Sequence, residues 1–199
     1  DMMRNRKPEK ENRLHLLAAL AMCENIDWNV GRLLKKLEEL KVTEDTIVVF
    51  FHDNGPNGTR WNGDMEGKKG STEEGGTRSP LLIRWPKGIK AGKDWYRQPA
   101  QLIDVVPTIL DLAGADYPKT YKGNDILPID GISLRPAFSG KPLNRGGPFF
   151  VEHENNAFVR DGKWKLVGRG VSATHGVVPS RWELYDIKKD RTEINNLAA

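Results

Sequence analysis

Hydrophobic residues recur at helical spacing near the start of the chain, over residues 11–40. Apolar side chains return there every three or four positions, with charged side chains between them: Ile26, Val30, Leu33, Leu34, Leu37 and Leu40. This period is typical of an amphipathic helix with one face against a core. Cys23 lies within the helix, and we expect it to be a small core residue.

Continuous apolar runs mark two strands further along the chain. Residues 47–51 and 81–85 are short apolar runs that end at turn-forming residues. The first run is typical of a strand buried on both faces of a sheet that helices cover, and the second is predicted as a further strand. The polar, glycine-rich loop 57–79 joins them, and a loop this long is usually functional or disordered.

A second helix is predicted after these strands. Asp104 is expected to be its N-cap, Pro107 lies in its first turn, and Gly114 is expected to end it. Strand, loop, strand and helix in this order predict a layered α/β core.

The pattern changes after Pro118, where a Pro/Gly-rich segment leads into short strands. Asp161-Gly162 is a two-residue hairpin signal. The predicted strands cover residues 149–152, 158–160 and 164–167, with a further one at 182–185. We therefore predict three parts: 1–118 as part of the α/β core, 119–148 as a crossing segment and 149–199 as a small antiparallel C-terminal subdomain.

Composition then excludes several function classes. The net charge of +4 is spread along the chain without a run of like charges, so no nucleic-acid partner is expected. No apolar stretch approaches the roughly 20 residues of a membrane helix. The single cysteine excludes an internal disulfide framework and a Cys-rich zinc site. The chain opens without a signal peptide, which raises the expectation that it belongs to a longer polypeptide.

Candidate metal ligands stand where the first strand ends. Asp53 and Asn54 offer neighbouring carboxylate and amide oxygens at the edge where open α/β sheets bind ligands. Such hard donors suit Ca²⁺ or Mg²⁺. Asp-Asn-Gly is also an ordinary turn sequence, and the pair alone favours that interpretation.

A candidate anion-binding loop follows. Lys68 and Lys69 lie between Gly67 and Gly70, where glycines allow a close backbone approach and an ammonium supplies a point charge for an oxyanion. The spacing is not that of a P-loop. A Gly-Lys-Lys-Gly turn alone is more often solvated, so the signal lies in its combination with Asp53 and Asn54.

These segments together resemble the C-terminal half of an arylsulfatase-type sulfatase, within the alkaline-phosphatase superfamily. The resemblance covers nearly the whole chain in the family's order, and it is carried by residues 26–34, 46–56, 67–80, 83–86, 104–114, 130–134, 159–166 and 183–186.

The resemblance implies a sulfuric-ester hydrolase with an alkaline-phosphatase-like layered core. It implies that Asp53 and Asn54 are Ca²⁺ ligands, with Mg²⁺ less suited, and that Lys69 contacts sulfate in catalysis. The family's nucleophile is a formylglycine made in a Cys/Ser-x-Pro/Ala-x-Arg motif. Nothing in this sequence matches that motif, so it is expected in an N-terminal segment that would be this chain's partner.

Two further residues are candidates for substrate binding. His153 lies in a segment that approaches the substrate pocket in some relatives, although an exposed strand-end histidine is equally consistent. Arg60 precedes Trp61 and either lines the pocket or stacks on that ring at the loop surface. The substrate class would be a sulfated small molecule or a sulfated glycan.

Two alternatives to a sulfatase stay open. One is a non-catalytic fragment or binding chain, which the missing nucleophile supports. The other is a phosphodiesterase or phosphoglycerol-transferase relative, against which the absence of a His cluster argues. The resemblance also implies a periplasmic or secreted location.

Overall fold

The computed structural model describes residues 8–90, 95–171 and 181–198. Its helices are α1 (Arg13–Glu39), α2 (Glu74–Thr77) and α3 (Val105–Ala113). Its strands are β1 (Val48–Phe51), β2 (Leu81–Arg84), β3 (Thr120–Tyr121), β4 (Asn124–Asp125), β5 (Phe149–His153), β6 (Asn156–Asp161), β7 (Trp164–Arg169) and β8 (Arg181–Asp186). Short 3₁₀ turns cover Pro8–Lys10, Thr43–Asp45, Leu102–Asp104 and Arg135–Ser139.

The chain divides into two compact units, and both are built from separate stretches of sequence. Unit 1 combines Asp1–Lys36, Val49–Leu82 and Gly147–Ala199, and unit 2 combines Leu37–Val48 and Ile83–Gly146. The candidate site residues 53, 54, 60, 69 and 153 all fall within unit 1. The predicted division at residues 118 and 148 stays a prediction.

The C-terminal sheet of unit 1 is an antiparallel meander in the order β5-β6-β7-β8. Phe158, Val167, Tyr185 and Ile187 form its buried core, against which Phe149 and Val151 pack. The strands after residue 148 are therefore confirmed. The hairpin lies one residue later than predicted: Asp161 pairs with Trp164, so the loop residues are Gly162 and Lys163.

The N-terminal elements have the predicted type but not the predicted burial. β1 and β2 form a two-stranded sheet, and β1 is half-buried to exposed, not buried on both faces. The reason is that β2 is its single strand neighbour within the described ranges. No described residue of α1 is buried, and Cys23 is exposed, so the expectation of a core cysteine is wrong.

The second predicted helix begins differently from the expectation. Asp104 has helical backbone angles and does not cap α3 with its side chain. Its carboxylate instead accepts the N–H of Gln101, the N–H of Ile132 and the Arg145 guanidinium. The helix does begin directly after Asp104, but this residue is also the last one of the preceding 3₁₀ turn and its carboxylate bonds back to that turn. Gly114 ends α3 in the left-handed region, as predicted.

Candidate functional site

The site begins at the turn that follows β1. Asp53 is exposed and Asn54 is half-buried. The Asn54 Nδ2 donates to the Gly55 carbonyl at 2.8 Å, so the amide oxygen is the atom of that side chain that could ligate a metal ion. The pair therefore presents two hard oxygen donors, which fit Ca²⁺ but fall short of the six to eight ligands it takes.

The glycine-rich loop lies directly against this turn. The Gly55 N–H donates to the Gly76 carbonyl at 2.8 Å, and the Lys69 N–H donates to the Pro56 carbonyl at 3.0 Å. These backbone bonds bring Lys69 beside the segment that carries Asp53 and Asn54. The structure thus joins the candidate cation-binding and anion-binding segments, which are separated by more than a dozen residues in sequence.

Close backbone packing at three glycines shapes both this approach and the loop itself. A Cβ at Gly55 would lie 1.8 Å from the Gly75 carbonyl oxygen. One at Gly75 would lie 2.4 Å from the Glu66 carbonyl oxygen, and one at Gly76 would lie 2.1 Å from that of Ser71. These contacts are with backbone, so no side-chain movement relieves them.

Both lysines of the loop are exposed. The Lys68 N–H donates to Ser71 Oγ at 3.1 Å within the loop, whereas the Lys69 N–H donates across to Pro56. Backbone anchoring therefore ties Lys69 to the turn after β1, and Lys68 to its own loop.

His153 and Arg60 occupy different parts of this region. His153 ends β5, and the two-residue turn after it brings Glu154 beside the lysine loop: a Cβ at Gly70 would lie 3.6 Å from Glu154 Oε2. His153 is 55% exposed. Arg60 donates to the Asn57 carbonyl at 2.8 Å, so its guanidinium is held by its own loop.

The structure also contains a buried ion cluster that sequence reasoning missed. Its members are Lys165 on β7, Glu74 at the start of α2 and Glu193 near the C-terminus, all buried. The Lys165 Nζ lies 3.0 Å from Glu74 Oε1 and 2.9 Å from Glu193 Oε1. Alternation along β7 held a signal, because Lys165 and Val167 share one face of the strand and Val167 is an obvious core residue.

The pKa values of the two carboxylates in this cluster are shifted in opposite directions. Burial raises the pKa of Glu193 to about 7, against the opposing effect of Lys165. Burial also acts on Glu74, but the charges of Lys165, Arg160 and Arg78 hold its pKa below the ordinary value. At neutral pH the lysine therefore faces one ionised carboxylate and one that is partly protonated.

The part of the chain that the structure describes holds neither a preformed metal cluster nor a membrane-spanning helix. Within residues 8–90, 95–171 and 181–198, no three His, Cys, Asp or Glu side chains are grouped so as to hold a metal ion. In the same part of the chain, no helix has the length and apolar character needed to cross a membrane.

Two family models match this chain. The model described as Sulfatase matches residues 2–115, and that described as N-sulphoglucosamine sulphohydrolase, C-terminal, matches residues 68–199. The chain belongs to the sulfatase family.

Individual relatives agree with this assignment. Steryl-sulfatase of Mus musculus is 38% identical over 71% of this chain, and choline-sulfatase of Rhizobium meliloti is 31% identical over 91% of it. The aligned regions are 23% and 32% of those relatives, so the chain spans about a quarter to a third of their length.

A solved structure confirms the predicted fold class. A sulfatase from Pseudoalteromonas sp. superposes with a TM-score of 0.67 at 22% identity, over 87% of this chain and 37% of the other. The chain is thus part of an alkaline-phosphatase-like α/β core followed by a small antiparallel C-terminal subdomain.

Proposed function

We propose that this chain supplies the calcium-binding and sulfate-binding side of an enzyme that hydrolyses sulfuric esters. The observation that carries the proposal is the backbone pairing of the loop 66–76 with the turn 53–56. It sets a pair of hard oxygen donors beside the segment of an exposed lysine. A cation and a positive side chain together would stabilise the negative charge on the oxygens of a sulfate ester.

Asp53 and Asn54 would hold the metal ion, together with donors from outside this chain. Ca²⁺ fits better than Mg²⁺, because an exposed carboxylate and a neutral amide suit a large cation of flexible geometry. When bound, the cation would withdraw charge from the sulfate oxygens. The formylglycine nucleophile would come from an N-terminal segment that also supplies the remaining ligands.

Lys69 would contact a sulfate oxygen and offset the negative charge that builds up in the transition state. The anchoring of its N–H on Pro56 supports this role over the same role for Lys68. His153 and Arg60 would bind the rest of the substrate, His153 from the turn beside Gly70 and Arg60 from the loop after Asn57.

The substrate would be a sulfated small molecule or a sulfated glycan. Relatives of both kinds support this range, since a steryl-sulfatase and an N-acetylgalactosamine-6-sulfatase both match the chain. The enzyme would be periplasmic or secreted, and its partner would be the N-terminal segment that carries the nucleophile.

Kinetics of two neighbouring lysine variants test the proposal. In this chain joined to the nucleophile-bearing segment, Lys69→Ala should lower kcat/KM for a sulfate ester by about 10²–10³, the usual cost of losing one positioned group at a developing oxyanion. Lys68→Ala is the matched control and should cost much less.

Calcium content is measured in both variants, so that loss of the metal is distinguished from loss of the lysine. Equal losses for the two lysines would contradict the assignment of Lys69. A joined enzyme without activity on any sulfate ester would favour the non-catalytic alternative, and activity on phosphodiesters alone would favour the phosphoryl-transfer relative.

A further inference from the structure

One face of β7 carries two cations that meet the acidic residues of the lysine loop. Lys165 and Arg169 lie four residues apart and therefore project from the same side of the strand. The loop that contains Lys69 begins at Glu66 and ends at Glu73 and Glu74. All six residues belong to unit 1.

Arg169 contacts both ends of the loop. Its Nε donates to Glu73 Oε1 at 2.6 Å, and its Nη2 lies 3.7 Å from Glu66 Oε1. The same guanidinium lies 3.9 Å from Glu183 on β8. A single side chain of the C-terminal sheet thus connects the two ends of the segment 66–73, with Lys69 midway between them.

Lys165 holds the C-terminal end of the loop through a buried contact with Glu74. It is fully buried, and its Nζ lies 4.6 Å from the Phe158 ring centre as well as against Glu74. Removal of one member of such a buried ion cluster is strongly destabilising, because the remaining charges lose their compensation. The position of Glu74 relative to β7 is therefore tightly constrained.

Glu193 completes this connection from the C-terminal loop. Its Oε2 accepts the Glu74 N–H at 2.7 Å, although its own backbone is in the left-handed region at φ 58°. Asp190 holds the loop in that shape by accepting the N–H groups of Ile194 and Asn195. A strained residue persists where its surroundings determine it, so this contact is built into the fold.

We propose that Lys165 and Arg169 are positioning residues, which hold the loop 66–76 on the C-terminal sheet so that Lys69 lies at the turn after β1. The inference rests on the proposed function for the role of Lys69, but not for the attachment of the loop. Neither side chain is assigned a contact with substrate or metal.

Amide hydrogen exchange tests the attachment. In the joined enzyme, Arg169→Gln should speed exchange of the Lys69 and Gly76 amides by about tenfold or more through local opening, while the amides that pair β6 with β7 keep their protection. Lys163→Gln is the matched control, because it removes an ion pair with Asp186, a residue of the same sheet that lies outside the loop.

Kinetics then test the consequence for Lys69. Arg169→Gln should lower kcat about tenfold to a hundredfold with a smaller change in KM, since misplacement of a catalytic group by about 1 Å has an effect of this size. Arg169→Lys, which retains the charge, should recover part of the loss. Lys165→Met should act in the same direction at the buried end.

Uniformly faster exchange across the sheet, or unchanged exchange in the loop, would overturn the proposal. If Lys165→Met does not fold, the measurements on the Arg169 variants decide the question. Arg169 is half-exposed, and its replacement leaves the buried cluster of Lys165, Glu74 and Glu193 intact. An inactive wild-type enzyme with the expected exchange pattern would refute the proposed function alone. Altered exchange with unchanged kcat would refute the positioning role.

Discussion

Three glycines allow the backbone to pack closely in and around the lysine loop. A methyl group added at Gly55 would overlap the Gly75 carbonyl oxygen of the lysine loop, and one added at Gly75 or Gly76 would overlap a carbonyl oxygen within that loop. The cost of a side chain there is overpacking of rigid backbone, not loss of a favourable contact. Gly55 therefore permits the close approach of the lysine loop to the turn after β1, and Gly75 and Gly76 permit the tight fold of the loop itself.

Gly76→Ala tests this close packing. The added Cβ would lie 2.1 Å from the Ser71 carbonyl oxygen and 2.7 Å from that of Lys68, so we expect destabilisation by about 1–3 kcal/mol. Denaturant unfolding measures it. Gly147→Ala is the control, because nothing lies within 4 Å of its added Cβ; similar losses for the two variants would contradict the packing argument.

The buried carboxyl of Glu193 gives the stability of unit 1 a specific pH dependence. Its pKa is raised from the ordinary 4.5 to about 7, chiefly by burial. The groups that face it are Lys165, Glu74, Arg160 and the hydroxyl of Tyr185. Between those two pH values the folded chain binds more protons at this group than the unfolded chain does.

Glu193→Gln isolates this contribution. The stabilisation from the Glu193 proton is fully present below about pH 4.5 and is lost as the pH rises through about 7, whereas glutamine does not titrate. The wild type should therefore lose stability relative to the variant over that interval, as followed by thermal melts at several pH values. A constant difference between the two proteins would show that the pKa of Glu193 is not raised.

At the scale of elements, Asp104 connects α3 to the segment 132–145 within unit 2. It is fully buried, and both its carboxylate oxygens accept from the Arg145 guanidinium, at 3.0 and 2.6 Å. Burial opposes ionisation, but Arg145 and the N–H groups of Ile132 and Gln101 hold the pKa of Asp104 below its ordinary value. Asp104 thus holds the start of α3 against the segment 132–145, which is distant in sequence.

Asp104→Asn should destabilise unit 2 by about 3 kcal/mol, the low end for breaking a buried ion pair. The matched control is Asp111→Asn on the same helix, whose pair with Arg135 is exposed and should contribute little. Denaturant unfolding of both variants decides it. If the two substitutions had equal effects, the buried position of Asp104 would not be what matters.

At the scale of the whole molecule, large apolar side chains are exposed along α1. Leu14 is 76% exposed, Trp28 is 62% exposed, and none of the described residues of this helix is buried. β1 and β2 pair with each other, which leaves strand edges available. Exposed apolar surface of this extent is typical of a face that another chain segment covers.

The 199-residue chain alone should therefore self-associate or unfold without a sharp transition. Size-exclusion chromatography with light scattering, at several concentrations, and thermal melts measure this. Leu17→Lys combined with Leu20→Lys should reduce association, because both side chains are more than half exposed on α1. A monomer with cooperative unfolding at all concentrations would contradict the expectation.

Local patterns were sufficient to predict most elements. The helical period of α1, the apolar runs of β1 and β2, and the short strands after residue 148 each depend on neighbouring residues, so the sequence indicated them directly. Asp53, Asn54 and Lys69 could be singled out because of their position after a strand and between glycines, and because of the family resemblance. Their roles as metal and sulfate ligands stay predictions.

Contacts between distant segments were decided by the tertiary structure alone. Lys165 meets Glu74 across 91 residues, and Glu193 meets Glu74 across 119 residues. No local pattern encodes such contacts. Burial of β1, α1 and Cys23 also depends on what covers them, which a hydrophobic period does not specify. The sequence thus determined the elements, the family and the candidate ligands, whereas tertiary packing decided which charges are buried together and what holds the lysine loop in place.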